Sequence, residues 1–397
     1  MSKIKVLIVG GGFAGVKAAL KLVNHPEINL TLLSDDTSLR YYPTLYRVAT
    51  GGSSAEANIP YESIFRDSNI NLVKGVAKTI DRQNRQIITD EGKSYEYDFV
   101  ILALGVVTNY FGIPGLSDYS FSIKSQAEAQ RFKKHLHQQL IDTGRPDTNY
   151  LIVGAGPTGI ELAGALPAYL KRITKSHGLD VKHLNIALVE AMPRLLPNLS
   201  KTTTRQVSKR LHQLGIKLYL NSKVEGQSAD ALTVNGRPLP SQTVVWTAGV
   251  TNHPFFKDNN FVIMGRGKVG VDAYLQTEPK IFVVGDNANT PFSGMAQTAL
   301  HDGEFVANNL IKSLKGEMYS SYEVKKPTTV IPVGPNWAVV ERGNFHLKGR
   351  LGSLIRESAD LKGFKDLEPL GSATQQLLRQ FSVEDYCQIC ATALARY

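Results

Sequence analysis

The chain has 397 residues, enough for two or three domains with sizeable cores. Hydrophobic residues make up 42% of it and charged residues 20%, which excludes a mostly disordered or fibrous protein. The net charge is +10, but lysines and arginines are spread along the whole chain without a dense block. Charge alone therefore favours neither nucleic acid nor an anionic membrane surface as a partner.

The N-terminus predicts neither a signal peptide nor a membrane anchor. Its short apolar run, IKVLIVG, ends in glycines without a cleavage site, and no stretch approaches the ~20 apolar residues of a spanning helix. The two cysteines, Cys387 and Cys390, give no disulfide framework, and no second pair is present to complete four zinc ligands. We interpret them as incidental thiols and expect a cytoplasmic protein that requires no metal.

The first chemical motif is a glycine-rich turn between a predicted strand and a predicted helix. Gly10, Gly12 and Gly15 form G-x-G-x-x-G in KVLIVGGGFAGVKAAL, with Phe13 and Ala14 between the last two glycines. In this pattern the backbone approaches a pyrophosphate at the N-terminus of the helix. Asp35 lies 20 residues beyond Gly15, where an acidic side chain accepts the ribose hydroxyls. Its rivals for that role are Ser34 and Asp36, because predicted strand ends are uncertain by a residue or two.

The pattern returns in NYLIVGAGPTGIELAGAL. Gly154, Gly156 and Gly159 repeat the fingerprint, with Thr158 inside it. The next predicted strand ends in Glu190, 31 positions past Gly159, so the intervening helix is expected to carry an extension. A carboxylate there binds a 2′-hydroxyl and repels a 2′-phosphate, which favours NADH over NADPH. Arg194 is close enough in sequence to soften that preference, unless it is an ordinary solvated arginine.

The two fingerprints indicate two different dinucleotides. Gly154 lies 144 residues after Gly10, and a dehydrogenase with one nucleotide needs only one such site. An enzyme that passes a hydride from nicotinamide to a flavin needs both. The ribose-binding carboxylate favours FAD over FMN, because it implies an adenosine half.

The order GGGFAG, ALG, GPTGIELAG, WTAGV, VVGDNA and AQTA resembles the two-dinucleotide-binding-domain flavoproteins, and within them the type II NADH dehydrogenases. This resemblance covers about residues 1–345 and implies an α/β fold with two Rossmann-like, glutathione-reductase-like domains. Residues 1–115 and 246–325 would form a discontinuous FAD domain, and residues 116–245 an inserted NADH domain. Residues 326–397 would form a C-terminal docking segment for a membrane or a second subunit.

The resemblance also implies roles for single residues. The FAD site would include Ala103, Leu104 (a threonine in the family), Gly105, Gly285, Asp286, Gln297 and Thr298, and the NADH site Ala248 and Gly249. Glu161 matches a family glutamate at the meeting point of flavin and nicotinamide, although a glutamate in the first turn also stabilises a helix. In the segment from Tyr42 to Gly51, which would lie beside the flavin, Tyr42 and Arg47 replace glutamines and could alter the acceptor pocket.

The acceptor side departs from the family pattern. Gln297 matches the first glutamine of A-Q-x-A-x-Q, but His301 stands where the second is expected. Gln297 would still reach the flavin or a quinone, and His301 could donate a hydrogen bond or titrate near neutral pH. The C-terminal tail has short apolar faces, no tryptophan after residue 337 and charges of both signs, so weak binding to anionic lipid and dimerisation explain it equally well.

We therefore expect a non-proton-pumping NADH:quinone oxidoreductase, homodimeric and peripheral on the inner face of the cell membrane. A reductase that serves a protein carrier is the first alternative. A non-enzymatic redox sensor or nucleic-acid-binding protein is the second, but no dense basic helix supports nucleic-acid binding, and no such partner is expected. Flavin disulfide reductases and sulfide:quinone oxidoreductases need cysteines beside the flavin, and this chain has none before residue 387. Unless the tail folds back into the active site, the sequence excludes this class.

Overall fold

The computed structural model describes residues 3–141, 149–179, 184–367 and 374. The α-helices of this part are numbered along the chain as α1 (Phe13–Leu22), α2 (Leu45–Ala49), α3 (Tyr61–Ile64), α4 (Leu116–Tyr119), α5 (Gln126–Ile141), α6 (Pro157–Ser176), α7 (Lys201–Gln213), α8 (Pro254–Asp258), α9 (Ala296–Leu314) and α10 (Arg350–Lys365). The β-strands are β1 (Ile4–Val9), β2 (Ile28–Ser34), β3 (Ser38–Arg40), β4 (Asn58–Pro60), β5 (Asn71–Lys74), β6 (Ala77–Asp81), β7 (Gln86–Thr89), β8 (Ser94–Glu96), β9 (Phe99–Leu102), β10 (Val106–Thr108), β11 (Asn149–Val153), β12 (Asn185–Val189), β13 (Lys217–Tyr219), β14 (Val224–Gln227), β15 (Ala231–Val234), β16 (Arg237–Pro240), β17 (Thr243–Trp246), β18 (Val250–Asn252), β19 (Gln276–Glu278), β20 (Ile281–Val283), β21 (Thr329–Pro332), β22 (Ala338–Arg342) and β23 (Phe345–Gly349).

The largest sheet has six strands in the order β19-β20-β9-β1-β2-β5. All neighbouring pairs are parallel except β19 with β20. The last four residues of β1 are buried, as expected for a parallel strand that is covered on both faces. The sheet thus combines strands from residues 4–102 with strands from residues 276–283.

Helices α1 and α9 cover one face of this sheet and pack tightly on each other. A Cβ atom on Gly303 of α9 would lie only 2.1 Å from the carbonyl oxygen of Ala14 in α1. Only glycine allows this close approach, which brings the N-terminal end of α1 against the middle of α9 beside the first fingerprint.

The second sheet has four parallel strands in the order β13-β12-β11-β17, all drawn from residues 149–246. Its core includes buried side chains of α5, α6 and α7, among them Phe132, Leu166 and Leu211. The antiparallel pair of β10 and β18 links this sheet to the first. Two parallel sheets, each with a glycine fingerprint after its central strand, agree with the expected doubly dinucleotide-binding α/β fold.

The C-terminal part forms an antiparallel sheet, β21-β22-β23, followed by α10. Near the end of α10, the Phe364 ring stacks on Tyr41 with 4.4 Å between ring centroids. Residues 329–367 are therefore packed onto the rest of the protein. In the described part of the chain, no helix is long and apolar enough to cross a membrane. Cys387, Cys390 and the rest of residues 368–373 and 375–397 in the predicted docking segment lie outside the described residues.

Candidate active site

The first fingerprint loop has the geometry that a bound pyrophosphate requires. Gly10 has φ of +104°, and a Cβ there would lie 2.2 Å from the carbonyl oxygen of Ala103. At Gly12, in contrast, a Cβ would have no protein atom within 4 Å. The protein therefore leaves open space at the second glycine, where the backbone of this motif approaches a phosphate. Gly15 packs back against Gly10, and a Cβ on Gly15 would lie 1.9 Å from the Gly10 carbonyl oxygen.

This loop lines a cavity of about 350 Å³. Ten residues that the sequence assigns to FAD line it: Gly10, Gly12, Phe13, Ala14, Asp35, Ala103, Leu104, Gly105, Gly285 and Asp286. Ser34 and Asp36, the rivals of Asp35, line the same cavity. Arg40 donates to Asp35 at 2.7 Å and to Asp36 at 3.3 Å. This arginine, which sequence reasoning missed, holds both carboxylates at one end of the cavity.

The Gly285–Asp286 turn is fixed by a buried carboxylate in α9. Asp302 accepts a hydrogen bond from the Gly285 N–H at 3.0 Å and another from the Tyr322 hydroxyl at 2.6 Å. Burial raises the pKa of the Asp302 carboxyl to about 6, although both hydrogen bonds oppose that rise. Asn287 binds both the N–H and the carbonyl of Gly105, at 2.8 and 2.6 Å. Sequence reasoning missed both Asp302 and Asn287, although Asn287 directly follows Asp286, which it selected.

The second fingerprint lines a larger cavity of about 1270 Å³. Gly154 also has φ of +104°, and its Cβ would lie 2.6 Å from the Cα atom of Ala248. Gly156, like Gly12, faces open space. Of the residues assigned to NADH, those that line this cavity are Gly154, Gly156, Glu190 and Ala248. Gly159 packs on the carbonyl of Gly154, so its part is to bring helix and strand together.

Glu190 is held in place by backbone groups. One carboxylate oxygen accepts from the Ala155 N–H at 2.7 Å, and the other accepts from the Met192 N–H at 2.8 Å. Arg194 does not line the larger cavity, and its guanidinium donates to the carbonyl of Pro197. A fixed negative charge at this strand end suits a ribose with free hydroxyls and opposes a phosphate.

Helix α6 joins the two cavities. It begins with Pro157 in the larger cavity, and within its first turns it presents Thr158 and Glu161 to the smaller one. Thr158, assigned to NADH from sequence, therefore lines the cavity of the first fingerprint and not that of the second. Gly294 lines both cavities, so they adjoin at this point as well. A group bound at the end of one cavity can meet a group bound in the other.

Glu161 belongs to a buried network of charges that reaches the C-terminal helix. Arg356 of α10 donates to Glu161 at 3.1 Å and binds both oxygens of Asp360 at 3.0 Å. Arg47 donates to the same Asp360 at 2.6 Å. Burial raises the pKa of the Glu161 carboxyl to about 7, and Arg356 opposes this only in part because Asp360 shares its guanidinium. Glu161 thus places a carboxyl group with a raised pKa at the edge of the smaller cavity.

Arg356 and Asp360 were not found from the sequence, and the role of Arg47 was not foreseen. Arg356 lines the smaller cavity and also donates to the carbonyl of Pro43 at 2.7 Å, so the C-terminal helix contributes to the wall of this cavity. Arg47 stands where the resembled family has a glutamine, and its added charge is paired with the buried carboxylate of Asp360 on α10. The spacing of Arg356 and Asp360 by four residues was the available signal, since such pairs share a helix face.

Three of the four remaining predicted residues lie on α9. Gln297 is exposed, and its amide exchanges two hydrogen bonds of 3.1 Å with the backbone of Thr328. His301 contacts the carbonyl of Glu323 at 2.8 Å. The Thr298 hydroxyl is buried and has no hydrogen-bond partner among the described residues. None of the three lines either cavity, although Ala296 and Ala299 of the same helix line the smaller one. Gly249 leaves room for the ring of Phe111, 2.5 Å from its Cβ position.

The model of the pyridine nucleotide-disulphide oxidoreductase family matches residues 4–303. The chain belongs to this family. A type II NADH:quinone oxidoreductase of Staphylococcus aureus is 26% identical over 393 residues, which covers 93% of this chain and 97% of the relative. This likeness confirms the resemblance to the type II NADH dehydrogenases, and the family confirms the prediction of an oxidoreductase.

Solved structures confirm the fold class. NDH2 from Plasmodium falciparum in complex with NADH has a TM-score of 0.86 at 16% identity, covering 97% of this chain and 99% of that one. The sulfide:quinone oxidoreductase of Aquifex aeolicus has a TM-score of 0.75 at 18% identity, covering 90% and 89%. In the described residues, no group of three or more histidine, cysteine, aspartate or glutamate side chains forms a metal site.

Proposed function

We propose that this protein is an FAD-dependent NADH:quinone oxidoreductase that pumps no protons. The observation that carries the proposal is the junction at α6, where a helix that begins at the second fingerprint presents Glu161 to the cavity of the first. Two dinucleotides bound at the two fingerprints would meet there. The S. aureus relative, named a type II NADH:quinone oxidoreductase and matched over nearly its full length, supports the same activity.

FAD fits the smaller cavity on the observations of this chain. Gly12 leaves open space for the pyrophosphate, and the carboxylates of Asp35 and Asp36 are suited to ribose hydroxyls. Asp286 would hold the ribitol chain from the turn that Asp302 fixes. Bound there, the flavin supplies a ring that accepts a hydride and releases two electrons. The protein contributes mainly position and exclusion of water at this step.

NADH is proposed to bind in the larger cavity, with its adenosine ribose at Glu190 and its pyrophosphate at Gly156. Because both oxygens of Glu190 are already held by backbone N–H groups, the carboxylate cannot swing away from a 2′-phosphate. We therefore infer a preference for NADH over NADPH.

The reaction consumes one proton, since NADH, a proton and a quinone give NAD⁺ and a quinol. Glu161 is the group suited to exchange it, because it is buried, lines the flavin cavity and has its pKa raised to about 7. We place the quinone near Gln297 and His301 at the start of α9. Their hydrogen bonds to residues 323–328 mean that this segment must adjust if either side chain is to bind the acceptor.

The first test follows NADH oxidation by the FAD-loaded protein with a soluble quinone analogue, beside an NADPH control. Rapid NADH-specific quinone reduction supports the proposal. Rapid flavin reduction without quinone turnover would instead point to a protein acceptor, and no flavin reduction would refute the enzyme assignment. Disulfide and sulfide substrates are not proposed, because no cysteine precedes residue 387.

The role of Gln297 has its own test. Gln297→Ala is expected to lower quinone turnover about tenfold, the loss of roughly one hydrogen bond, while flavin reduction by NADH stays within about twofold. The matched control is Gln213→Ala, an exposed glutamine on α7. Equal quinone turnover in both variants would remove Gln297 from the acceptor site.

We also infer the domain division expected from sequence: 1–115 with 246–325 for FAD, 116–245 for NADH, and 326–397 for docking. The docking segment, residues 326–397, is proposed to bind weakly to an anionic membrane face. Its helix α10 exposes Leu351 and Leu354, and the chain has a net charge of +10, which favours anionic lipid. Sedimentation with vesicles that contain anionic lipid, against neutral vesicles, tests this contact. Light scattering after gel filtration tests the proposed homodimer.

A further inference from the structure

Phe111 combines two features that are unfavourable for a phenylalanine. Its backbone has φ of +53°, in the left-handed region that bulky residues avoid, and its side chain is 60% exposed. Such strain persists only where the surrounding structure imposes it, and it is concentrated at functional sites.

The surroundings of Phe111 impose this conformation through several contacts. The Phe111 N–H donates to the Asn109 side chain at 2.8 Å, and the Trp246 indole donates to the Asn109 carbonyl at 2.9 Å. The Phe111 ring meets Trp246 edge-on, with 6.3 Å between centroids. Gly249 makes room for the ring, since a Cβ there would lie 2.5 Å from Cε2 of Phe111. The exposed ring is thus held firmly at the wall of the larger cavity.

The sheet topology shows at which end of the larger cavity the Phe111 ring lies. The parallel strands β12, β11 and β17 are neighbours in that order, so their carboxyl ends form a row at one edge of the sheet. Glu190 follows β12 and Gly154 follows β11, which are the proposed places of the adenosine ribose and the pyrophosphate. The remaining half of an extended dinucleotide then lies at the end of β17. Trp246, which contacts Phe111, is the last residue of β17.

We propose that Phe111 positions the substrate by packing against the nicotinamide half of NADH at the end of β17. This inference rests on the proposed function and adds a residue that directs the nicotinamide toward the flavin cavity. A rigid aromatic ring provides contact area without loss of side-chain freedom, because Asn109, Trp246 and Gly249 have already fixed it. Misplacement of the reacting ring by about 1 Å is enough to slow a transfer greatly.

The test compares Phe111→Ala and Phe111→Gly with wild type by rapid-mixing measurement of flavin reduction under anaerobic conditions, over a range of NADH concentrations. Both variants are expected to reduce the ratio of the limiting rate to the half-saturating NADH concentration by about tenfold or more. Phe111→Trp is expected to retain most of it. The matched control is Phe345→Ala, which removes a ring that is 57% exposed and lines neither cavity. Ratios within about twofold of wild type in both Ala and Gly variants would overturn the proposal.

Two further measurements are needed. The melting temperature distinguishes a loss of nicotinamide positioning from a loss of folding, and inhibition by ADP-ribose distinguishes the nicotinamide half of NADH from the adenosine half. Phe111→Gly relieves the strained φ, so its melting temperature with FAD is expected to equal or exceed that of wild type while its NADH reaction slows. Inhibition by ADP-ribose, which lacks nicotinamide, should be unchanged in Phe111→Ala. A parallel loss of ADP-ribose binding would place Phe111 at the adenosine half and overturn the proposal. If wild type itself is not reduced by NADH, the proposed function fails, and this inference fails with it.

Discussion

The two nucleotide cavities are built on nearly the same loop but differ in what surrounds it. Gly10 and Gly154 share φ of +104°, and Gly12 and Gly156 both face open space. The smaller cavity, of about 350 Å³, is lined by Arg356 from the C-terminal helix. The larger one, of about 1270 Å³, has the exposed ring of Phe111 in its wall.

This difference fits a resident group on one side and an exchanging substrate on the other. Charged side chains from several segments would slow release from the smaller cavity, whereas the larger cavity gives more room to a ligand that enters and leaves. The acidic residues that follow the second strand of each nucleotide-binding unit, Asp35 and Glu190, also differ in their partners. Asp35 is paired with the cation Arg40, while Glu190 accepts from the backbone N–H groups of Ala155 and Met192. The glycine loop is therefore expected to provide binding of a dinucleotide in both cavities. The residues around each loop are expected to set how slowly that dinucleotide is released.

The largest expected effect separates the two loops directly. Gly10→Ala and Gly154→Ala each place a methyl group against backbone in a left-handed conformation. Gly10→Ala is expected to lose bound flavin, whereas Gly154→Ala keeps it but is reduced by NADH at least about a hundredfold more slowly, while dithionite still reduces it. Flavin absorbance per chain after gel filtration and anaerobic reduction rates measure both. Gly178→Ala, at φ of +62° with open space around it, is the control for strain alone. Equal flavin loss in both loop variants would contradict the division.

The next largest effect is expected at Arg356, which lines the smaller cavity. Arg356→Ala leaves Glu161 and Asp360 buried without this cation, which costs about 3–5 kcal/mol in the free energy of unfolding. Urea unfolding of the FAD-loaded protein measures the loss, and the rate of flavin release should rise with it. Arg350→Ala, at an exposed position of the same helix, is expected to change unfolding by less than about 0.5 kcal/mol. Similar losses in both variants would mean that α10 acts only as a packed helix.

A pH effect follows from Glu161. Its pKa is raised to about 7 in the folded protein from an ordinary value of 4.5, so the folded state binds more protons than the unfolded state between these values. The stability contributed by this group is therefore present below pH 4.5 and lost as pH rises through 7. Over that window the wild type should lose about 3 kcal/mol relative to Glu161→Gln. Urea unfolding at several pH values checks this, with the exposed Glu62→Gln as control. Parallel pH curves for wild type and Glu161→Gln would refute it.

The smallest effect sharpens the comparison at the strand ends. Glu190→Ala removes the carboxylate that opposes a 2′-phosphate, so the preference for NADH over NADPH should fall by about tenfold, or about 1.4 kcal/mol. Rates of flavin reduction with each nucleotide measure the ratio. Glu317→Ala, an exposed glutamate outside both cavities, should leave it unchanged. An unaltered ratio in Glu190→Ala would assign the preference to other residues.

Local spacing was sufficient to predict the two loops and their acids. The 31-residue interval between Gly159 and Glu190 predicted an extended helix, and α6 runs for 20 residues from Pro157 to Ser176. Contacts between distant segments were beyond this reasoning. Arg356 meets Glu161 across 195 positions, and Asp302 binds Gly285 because α9 folds back on the turn. Thr158 illustrates the same limit, since the face of a helix that meets a second cavity depends on how two sheets are joined.

The discontinuous build of the larger sheet has a consequence for biosynthesis. The strands from residues 4–102 cannot form the complete six-stranded sheet until β20, which begins at residue 281, has been synthesised. The four strands of the inserted sheet, in contrast, are all available once residue 246 has emerged from the ribosome. The unit that comes second in the sequence is therefore the first that can finish folding during translation. The flavin cavity, which draws on residues from Gly10 to Arg356, is complete only when nearly the whole chain has been released. If FAD binds in this cavity as proposed, capture of the flavin is expected to be a late event in the maturation of this protein.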